Sequence, residues 1–436
     1  MVNVLLIGNS ARAHALAEVL KRNNEVKLYS YIAGKNPGVI EHSEEFYVGK
    51  YDDLESIKEF AEKVKPEFAV VAPEAPLEAG VVDLLEEINI PSFGPKKVLA
   101  QLETSKSFTR NIVAKYNIPG NPEFKVFHTM EGVVEFMDKL GNDFVIKYDA
   151  LLGGKGVKLM GEHLKNKEEA IAYAEHCIQR SGKVVIEEKL VGEEFSLQCI
   201  TDGKTVVCSP IVQDHKRAYV GDKGPNTGGM GSYGDANHSL PFLTQKDVDE
   251  ALEITQKVCN ALHEEFKDLY KGVMYGGFIA TKDGVKLIEY NARFGDPEAI
   301  NILPLLKTDF TELCRAVING TLADLKVEFE NKATVVKYAV PKGYPDDPVK
   351  GEEVDISEVP SNVRMYFASV DREDGKLNMS TSRAIAFLGI ADTIAEAEKI
   401  AEEGVSKAKG KIFHREDVGT AALIQKRIDH MDSLRQ

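Results

Sequence analysis

Val285-Lys-Leu-Ile-Glu-Tyr-Asn-Ala-Arg-Phe-Gly-Asp-Pro-Glu298 is an apolar, strand-like run that ends in a tight turn. Strand side chains alternate between faces, so Glu289 and Asn291 share one face, and continued extension brings Arg293 with them. Carboxylate and amide oxygens beside a guanidinium suit a hard divalent cation. Such an ion takes oxygen ligands and leaves its other positions to water and phosphates. The turn Gly295-Asp296-Pro297-Glu298 can present backbone N–H groups. The competing reading is an ordinary charged strand end at the surface.

Working outward, Lys147 lies on the strand Phe144–Tyr148 and is followed by Asp149-Ala-Leu-Leu-Gly-Gly-Lys-Gly156. Gly153, Gly154 and Gly156 let the backbone approach an anion, and Lys155 adds a mobile charge. This is no Walker A loop, because Gly156 stands where a Ser or Thr should follow the lysine. Alone, it reads equally well as a tight turn. The strand Val184–Glu188 runs into Lys189-Leu190 and then Gly192-Glu193-Glu194, a mixture of donors and acceptors that adenine and ribose require. Its bland alternative is a solvated acidic corner.

Residues 213–234 form a long glycine-dense stretch with Lys216, Arg217 and Lys223 and no apolar period. It reads as a substrate loop rather than a linker, since long loops inside compact domains are often functional. Gly8-Asn-Ser-Ala-Arg-Ala-His14 follows the first strand but lacks the glycines of a dinucleotide fingerprint, so NAD is disfavoured. The helix N-terminus there can still take a phosphate or sugar. Pro73-Glu-Ala-Pro-Leu77 ends another strand, where ligands sit in open α/β sheets.

The first hundred residues have βαβ grammar. Strands are expected at 2–7, 26–32 and 68–72 and helices at 11–21 and 77–88, which predicts a parallel sheet covered by helices. In the last helix Leu77, Val81, Leu84, Leu85 and Ile88 make one stripe. A boundary falls near residue 100, and 122–188 reads as an inserted α+β unit. Asp202-Gly203 and Asp283-Gly284 predict hairpins over 195–210 and 274–290, separated by an amphipathic helix from Val248 to Phe266. Beyond residue 330, strands are expected at 333–340, 363–370 and 383–390, then a helix opened by the capping box Thr393-x-x-Glu396.

A chain of 436 residues has room for roughly two to four domains. Its net charge of −15 argues against nonspecific nucleic-acid binding but leaves small phosphates admissible, because a cleft can focus a few cations. The five cysteines form no CxxC pair and read as reduced, mostly buried thiols. No apolar run approaches the ~20 residues that span a bilayer, and no basic signal-peptide head precedes the first strand. A cytoplasmic address is the expectation.

Three strings, Pro73–Leu77, Gln213–Arg217 with Gly224–Gly231, and Glu289–Glu298, resemble the phosphoribosylamine–glycine ligase (glycinamide ribonucleotide synthetase) family of the ATP-grasp superfamily, and the likeness runs from Gly8 to Gly419. It implies an α/β and α+β multidomain ATP-grasp fold. The parts would be an N-terminal Rossmann-like domain (1–102), a central ATP-grasp domain (103–121 and 189–328), an inserted ATP lid (122–188) and a C-terminal α+β domain (329–436).

The same resemblance implies ATP with Lys106 and Lys147 toward its phosphates, Gly153, Gly154 and Gly156 closing over them, Glu187 and the Leu190 backbone at adenine, and Glu194 at ribose. Glu289 and Asn291 would hold Mg²⁺ or Mn²⁺. Arg293, Lys155 and Asp214 are the candidate catalytic groups, Arg293 at the phosphoryl group or carboxylate and Asp214 at an amine. Lys216 and Arg217 would hold a sugar phosphate and Glu74 the ribose, with Arg12, Thr227, Gly228 and Gly229 as further substrate contacts.

The implied reaction joins glycine to 5-phosphoribosylamine through a glycyl phosphate, a step of purine synthesis. Glycine and 5-phosphoribosylamine are then the partners, with no nucleic acid or membrane, and a monomer is favoured over an obligate oligomer. The alternatives are another ATP-grasp carboxylate–amine ligase or carboxylase with a different acceptor, and a non-catalytic nucleotide-binding regulator. Two departures stand out. Ser10, Ala11 and Ala13 replace the family's two glycines and glutamate near the N-terminus, and residues 276–280, Gly-Gly-Phe-Ile-Ala, offer no acidic metal ligand.

Overall fold

Val4, Leu5, Leu6 and Ile7 are all buried, as a strand covered on both faces requires. In the computed structural model, which describes residues 1–141, 143–151 and 156–436, Val2–Ile7 is the middle of a five-stranded sheet. Glu45–Val48 and Val26–Ile32 lie on one side of it and Phe68–Val71 and Ser92–Phe93 on the other. Every pairing is parallel. The helix Ala11–Lys21 starts at the end of the central strand, where the Ser10 hydroxyl accepts the Ala13 N–H.

The single helix expected over 77–88 is instead two, Glu74–Ala79 and Val81–Glu87. Gly80 lies between them with φ +93°, a left-handed conformation that glycine adopts without a Cβ penalty. The break exchanges Leu84 for Val82 on the buried face.

A four-stranded antiparallel sheet, in the order Phe124–Phe127, Val184–Glu188, Phe144–Tyr148, Val157–Leu159, forms the segment expected as a lid. Val133 and Met137 of one helix and Ala174 and Cys177 of another pack with Ile146 and Ile186 of the sheet in a core of its own. A second antiparallel sheet holds Val206–Cys208, Glu193–Thr201, Gly272–Thr281 and Gly284–Asn291 in that order. Both Asp-Gly turns place glycine at positive φ, +90° at Gly203 and +107° at Gly284. The helix Gln245–Phe266 covers this sheet with Ile254, Val258 and Leu262.

Two expectations are corrected here. Cys199 and Cys208 sit directly opposite each other on paired strands and form a disulfide, so only Cys177, Cys259 and Cys314 are free, buried thiols. Nine residues apart in sequence, the pair reveals its proximity only once the hairpin register is known. The 213–234 stretch is also not an irregular loop. It contains Gln213–Asp214, Arg217–Tyr219, Lys223–Asn226 and Gly231–Gly234, the middle two paired as a small hairpin. These short strands are joined through the backbone and carry almost no apolar side chains, so periodicity does not reveal them.

Gly231–Gly234 pairs with Ala333–Pro341, which continues to Ile385–Ala391 and Arg364–Phe367 in an antiparallel C-terminal sheet. The helix Ile394–Lys407 packs on it through Ala397 and Ala401 and is capped by Thr393, whose hydroxyl accepts the Glu396 N–H. Among the described residues, no helix is long and apolar enough to cross a membrane.

Candidate active site

The strand Gly284–Asn291 carries a bulge. Leu287 pairs with Phe278 and Glu289 with Gly277, which leaves Ile288 without a cross-strand partner. A bulge frees a carbonyl and re-aims the residues beyond it. Lys147 Nζ donates to the Ile288 carbonyl at 3.0 Å, and Arg110 donates to it at 2.7 Å and to the Leu287 carbonyl at 2.9 Å. Arg110 also makes a two-pronged pair with Glu187, at 2.7 and 3.0 Å, and Lys147 pairs with the same carboxylate. Burial penalises the charge on Glu187, but the two cations outweigh it and hold the carboxyl below its usual range.

Lys106, at the start of the helix Lys106–Lys115, lies 3.5 Å from the Glu289 carboxylate. A cleft lined by Lys106, Lys147, Ile288 and Glu289 lies between them. Burial again opposes ionisation, yet Lys106, Lys216 and Lys147 hold the Glu289 carboxyl at about 2. An ionised carboxylate and the Asn291 amide oxygen two residues on fit a divalent cation that draws its remaining ligands from water and phosphate. Among the described residues, no group of three or more His, Cys, Asp or Glu could hold a metal alone. The neighbouring strand offers only Gly277 opposite Glu289. This cation would therefore depend on the nucleotide for ligands.

Beyond Asn291, Arg293 is bracketed by two carboxylates, Glu103 at 2.7 Å and Glu74 at 3.2 Å, and reaches the Asn291 amide oxygen at 3.5 Å. Arg293 and Arg12 overcome burial to hold Glu74 at about 2. Burial raises the Glu103 carboxyl despite Arg293, and that carboxylate also accepts the Ala292 N–H at 2.7 Å. Arg12 donates to the Phe294 carbonyl at 2.6 Å, and its backbone N–H donates to Asp296 at 3.2 Å. Arg12 thus joins the first helix to the turn as well as facing Glu74, 3.7 Å away.

Gly229 lies against both Asp214 and Pro297, since a Cβ there would meet the Asp214 carboxylate at 2.5 Å and Pro297 Cδ at 2.6 Å. Burial and the neighbouring Glu298 push the Asp214 carboxyl well above its ordinary range. The Tyr275 hydroxyl donates to Glu298 at 2.8 Å. Lys216 points to Glu194 at 3.3 Å, and that carboxylate raises the lysine's pKa. Thr227 accepts the Gly229 N–H and donates to the Lys216 carbonyl, which closes the turn that contains Gly228.

The strand end thus gathers Lys106, Lys147, Glu187, Glu289, Asn291, Arg293, Glu74 and Arg12, with Lys216 also acting on Glu289 and Asp214 beside Glu298 and the 227–229 turn. The Glu187 carboxylate is engaged by Arg110 and Lys147, so a base at this edge would meet the strand end rather than that side chain. Leu190 forms no backbone hydrogen bond with another described residue. Arg217 turns to Glu162 of the lid and to the Gly224 carbonyl. Gly153, Gly154 and Lys155 lie outside the described residues, and Gly156 adjoins them. Sequence reasoning passed over Glu103, Arg110, Glu298, Tyr338 and Arg383. Of these only Glu298 belonged to a recognised motif, and the others arrive from distant segments.

Models of the phosphoribosylglycinamide synthetase family match in three consecutive pieces. These are its N domain over residues 2–103, its ATP-grasp (A) domain over 104–299 and its C domain over 334–421. A phosphoribosylamine–glycine ligase of Methanocaldococcus jannaschii is 52% identical over 445 residues, covering 100% of both chains. The crystal structure of the phosphoribosylamine–glycine ligase from Thermotoga maritima, 30% identical, has a TM-score of 0.80 and covers 95% of this chain and 100% of that one. An N5-carboxyaminoimidazole synthetase from Staphylococcus aureus complexed with ADP shares the fold alone. It is 14% identical, with a TM-score of 0.64 and coverage of 93% and 96%.

Fold and site together define an ATP-grasp ligase, a class that binds ATP and a divalent metal. Within that class, the chain belongs to the phosphoribosylglycinamide synthetase family.

Proposed function

We propose that this protein joins glycine to 5-phosphoribosylamine with ATP, giving glycinamide ribonucleotide, ADP and phosphate in de novo purine biosynthesis. The observation that carries the reading is the line Glu289, Asn291, Arg293 at one strand end, with Lys106, Lys147 and Lys216 acting on the Glu289 carboxylate. It supports the reading together with family membership over most of the chain.

A carboxylate is too stabilised by resonance to acylate an amine, so a glycine oxygen first attacks the γ-phosphorus and ADP leaves. Lys106 and Lys147 hold the phosphates, while Arg293, kept in place by Glu74 and Glu103, neutralises charge on the transferred group. Glu289 and Asn291 would hold a divalent cation, Mg²⁺ or Mn²⁺, together with the nucleotide, and it would supply Lewis-acid neutralisation of the phosphate oxygens. The amine nitrogen then attacks the glycyl carbonyl and phosphate departs. Asp214 orients the amine and accepts the proton released.

Lys216 and Arg217 bind the sugar phosphate, Glu74 contacts ribose, and Glu194 with the strand end at Leu190 receives the nucleoside of ATP. The chain is taken to act in the cytoplasm as a monomer. The test is product analysis of the purified protein with ATP, glycine and 5-phosphoribosylamine. A stoichiometric amide with ADP and phosphate is expected; ADP without amide, or amide formed only on another acceptor, rules the substrate assignment out.

A further inference from the structure

Asp296 joins the helix Ala11–Lys21 to the C-terminal sheet, and one of the side chains that hold it, Arg383, takes no part in the steps above. It stands just before the strand Ile385–Ala391 of the C-terminal sheet. One of its terminal nitrogens donates to three backbone carbonyls, Gly228 at 2.8 Å, Gly229 at 3.1 Å and Asp296 at 2.8 Å. The other lies 3.3 Å from the Asp296 carboxylate. The guanidinium stacks on the Tyr338 ring at 4.5 Å, and the Tyr338 hydroxyl donates to the same carboxylate at 2.5 Å. On the far side Asp296 accepts the Arg12 N–H.

Three carbonyl dipoles converging on one point repel unless a cation gathers them, and a planar, stacked guanidinium does so with fixed directions that an ammonium lacks. The geometry has a consequence for the substrate turn. Across a trans peptide, C=O and N–H point in opposite directions. By holding the Gly228 and Gly229 carbonyls, Arg383 therefore turns the Gly229 N–H toward Thr227 and the Met230 N–H toward the His215 carbonyl. A Cβ on Gly228 would come within 3.2 Å of the guanidinium carbon, so arginine and turn are in close contact. The same turn packs Gly229 against Asp214.

We infer that Arg383 is a positioning residue through which the C-terminal sheet sets the 227–229 turn and Asp214 against the 295–298 turn. It thereby governs recognition of the amine substrate rather than of ATP. The inference rests on the reading of the reaction given above. The nucleotide-facing groups Lys106, Lys147 and Glu289 are not among the hydrogen-bond or ion-pair partners of Arg383.

The experiment compares wild type, Arg383→Ala, Arg383→Lys and Tyr338→Phe. It measures KM for 5-phosphoribosylamine and for ATP, together with amide hydrogen exchange over residues 227–230 and 285–291. In Arg383→Ala, KM for the amine is expected to rise about tenfold or more while KM for ATP stays within about twofold. Exchange should quicken over 227–230 and not over 285–291, and added guanidinium ion should lower the amine KM again. Arg383→Lys, which keeps the charge and loses the fork, should recover only part of the affinity.

Tyr338→Phe removes one hydroxyl, keeps the guanidinium, and should shift the amine KM in the same direction by less; it carries the test if the alanine variant does not fold. Equal rises in both KM values, full recovery in the lysine variant, or unchanged exchange over 227–230 would each overturn the inference. If wild type forms no product with this amine, the reading of the reaction fails, and the exchange comparison alone decides whether Arg383 positions the turn.

Discussion

The two ends of the site are charged alike and held together differently. At the nucleotide end the charges stand on neighbouring regular elements. Lys147 and Glu187 come from paired strands and Arg110 from the adjacent helix; the two cations close on the carbonyls beside one bulge, and Glu187 accepts from both. At the substrate end, the groups around Arg293 and Asp296 come from positions 12, 74, 103, 338 and 383, so their geometry exists only once the sheets have docked. The nucleotide end therefore joins two sheets across one interface, whereas the substrate end also needs the N-terminal and C-terminal segments docked. Damage to the first should appear mainly in stability or phosphoryl transfer, and damage to the second in substrate recognition.

The sharpest way to break this contrast is at Glu289. Glu289→Gln keeps the shape and removes the charge that faces Lys106 and would face the cation, so kcat should fall by on the order of 10²–10³-fold. Activity within a few-fold of wild type would show that the strand end is not the phosphoryl-transfer edge.

Arg110→Ala tests the other property. Arg110 and Glu187 side chains are each only 3% exposed, and truncating the arginine leaves a buried carboxylate short of a partner. A loss of roughly 3–5 kcal/mol in unfolding free energy is expected by denaturant titration. A loss below about 1 kcal/mol would mean that the pair is not part of the local frame.

Acid separates two groups of residues by a smaller amount. Burial holds His14 at about 3, aided by His42, and holds His215 at about 3, aided by Arg415. Both are neutral in folded and unfolded chains above their ordinary 6.5. As pH falls from 6.5 toward 3 the unfolded chain binds protons that the folded chain refuses, and stability declines. Each histidine contributes up to about 1.4 kcal/mol per pH unit in that window.

Glu74 and Glu289, both at about 2 against an ordinary 4.5, stabilise the fold above 4.5 and lose that contribution as pH falls toward 2. Decline should thus begin near pH 6.5 and steepen below 4.5. His14→Asn, which preserves an acceptor for the Phe367 N–H, should flatten the upper part of a pH series of melting curves. An unchanged slope there would place the early loss elsewhere.

Legibility in the sequence follows the same division. The strands 2–7 and 26–32 and the helix 11–21 could be read with their bounds, because apolar runs and their period are local signals. The break at Gly80 could not, since an apolar stripe continues on both sides of it. The 213–234 strands and the Cys199–Cys208 bond depend on cross-strand register, which composition does not encode.

At the site, Glu289, Asn291 and Arg293 were visible through the period of two. The residues that hold Arg293 and Asp296 were largely hidden. Glu103 sits at the buried end of an unremarkable helix, and Arg383 lies 87 positions beyond the carbonyl of Asp296 that it holds.

The central claim is that a divalent ion and the γ-phosphate meet at the carboxylate of residue 289 and the amide of residue 291. Anomalous diffraction from crystals of the full chain grown with Mn²⁺ and a non-hydrolysable ATP analogue locates that ion directly. A manganese peak about 2.1–2.3 Å from both side-chain oxygens and from a γ-phosphate oxygen is the predicted result. A nucleotide bound with its metal and triphosphate away from this strand end would contradict the account.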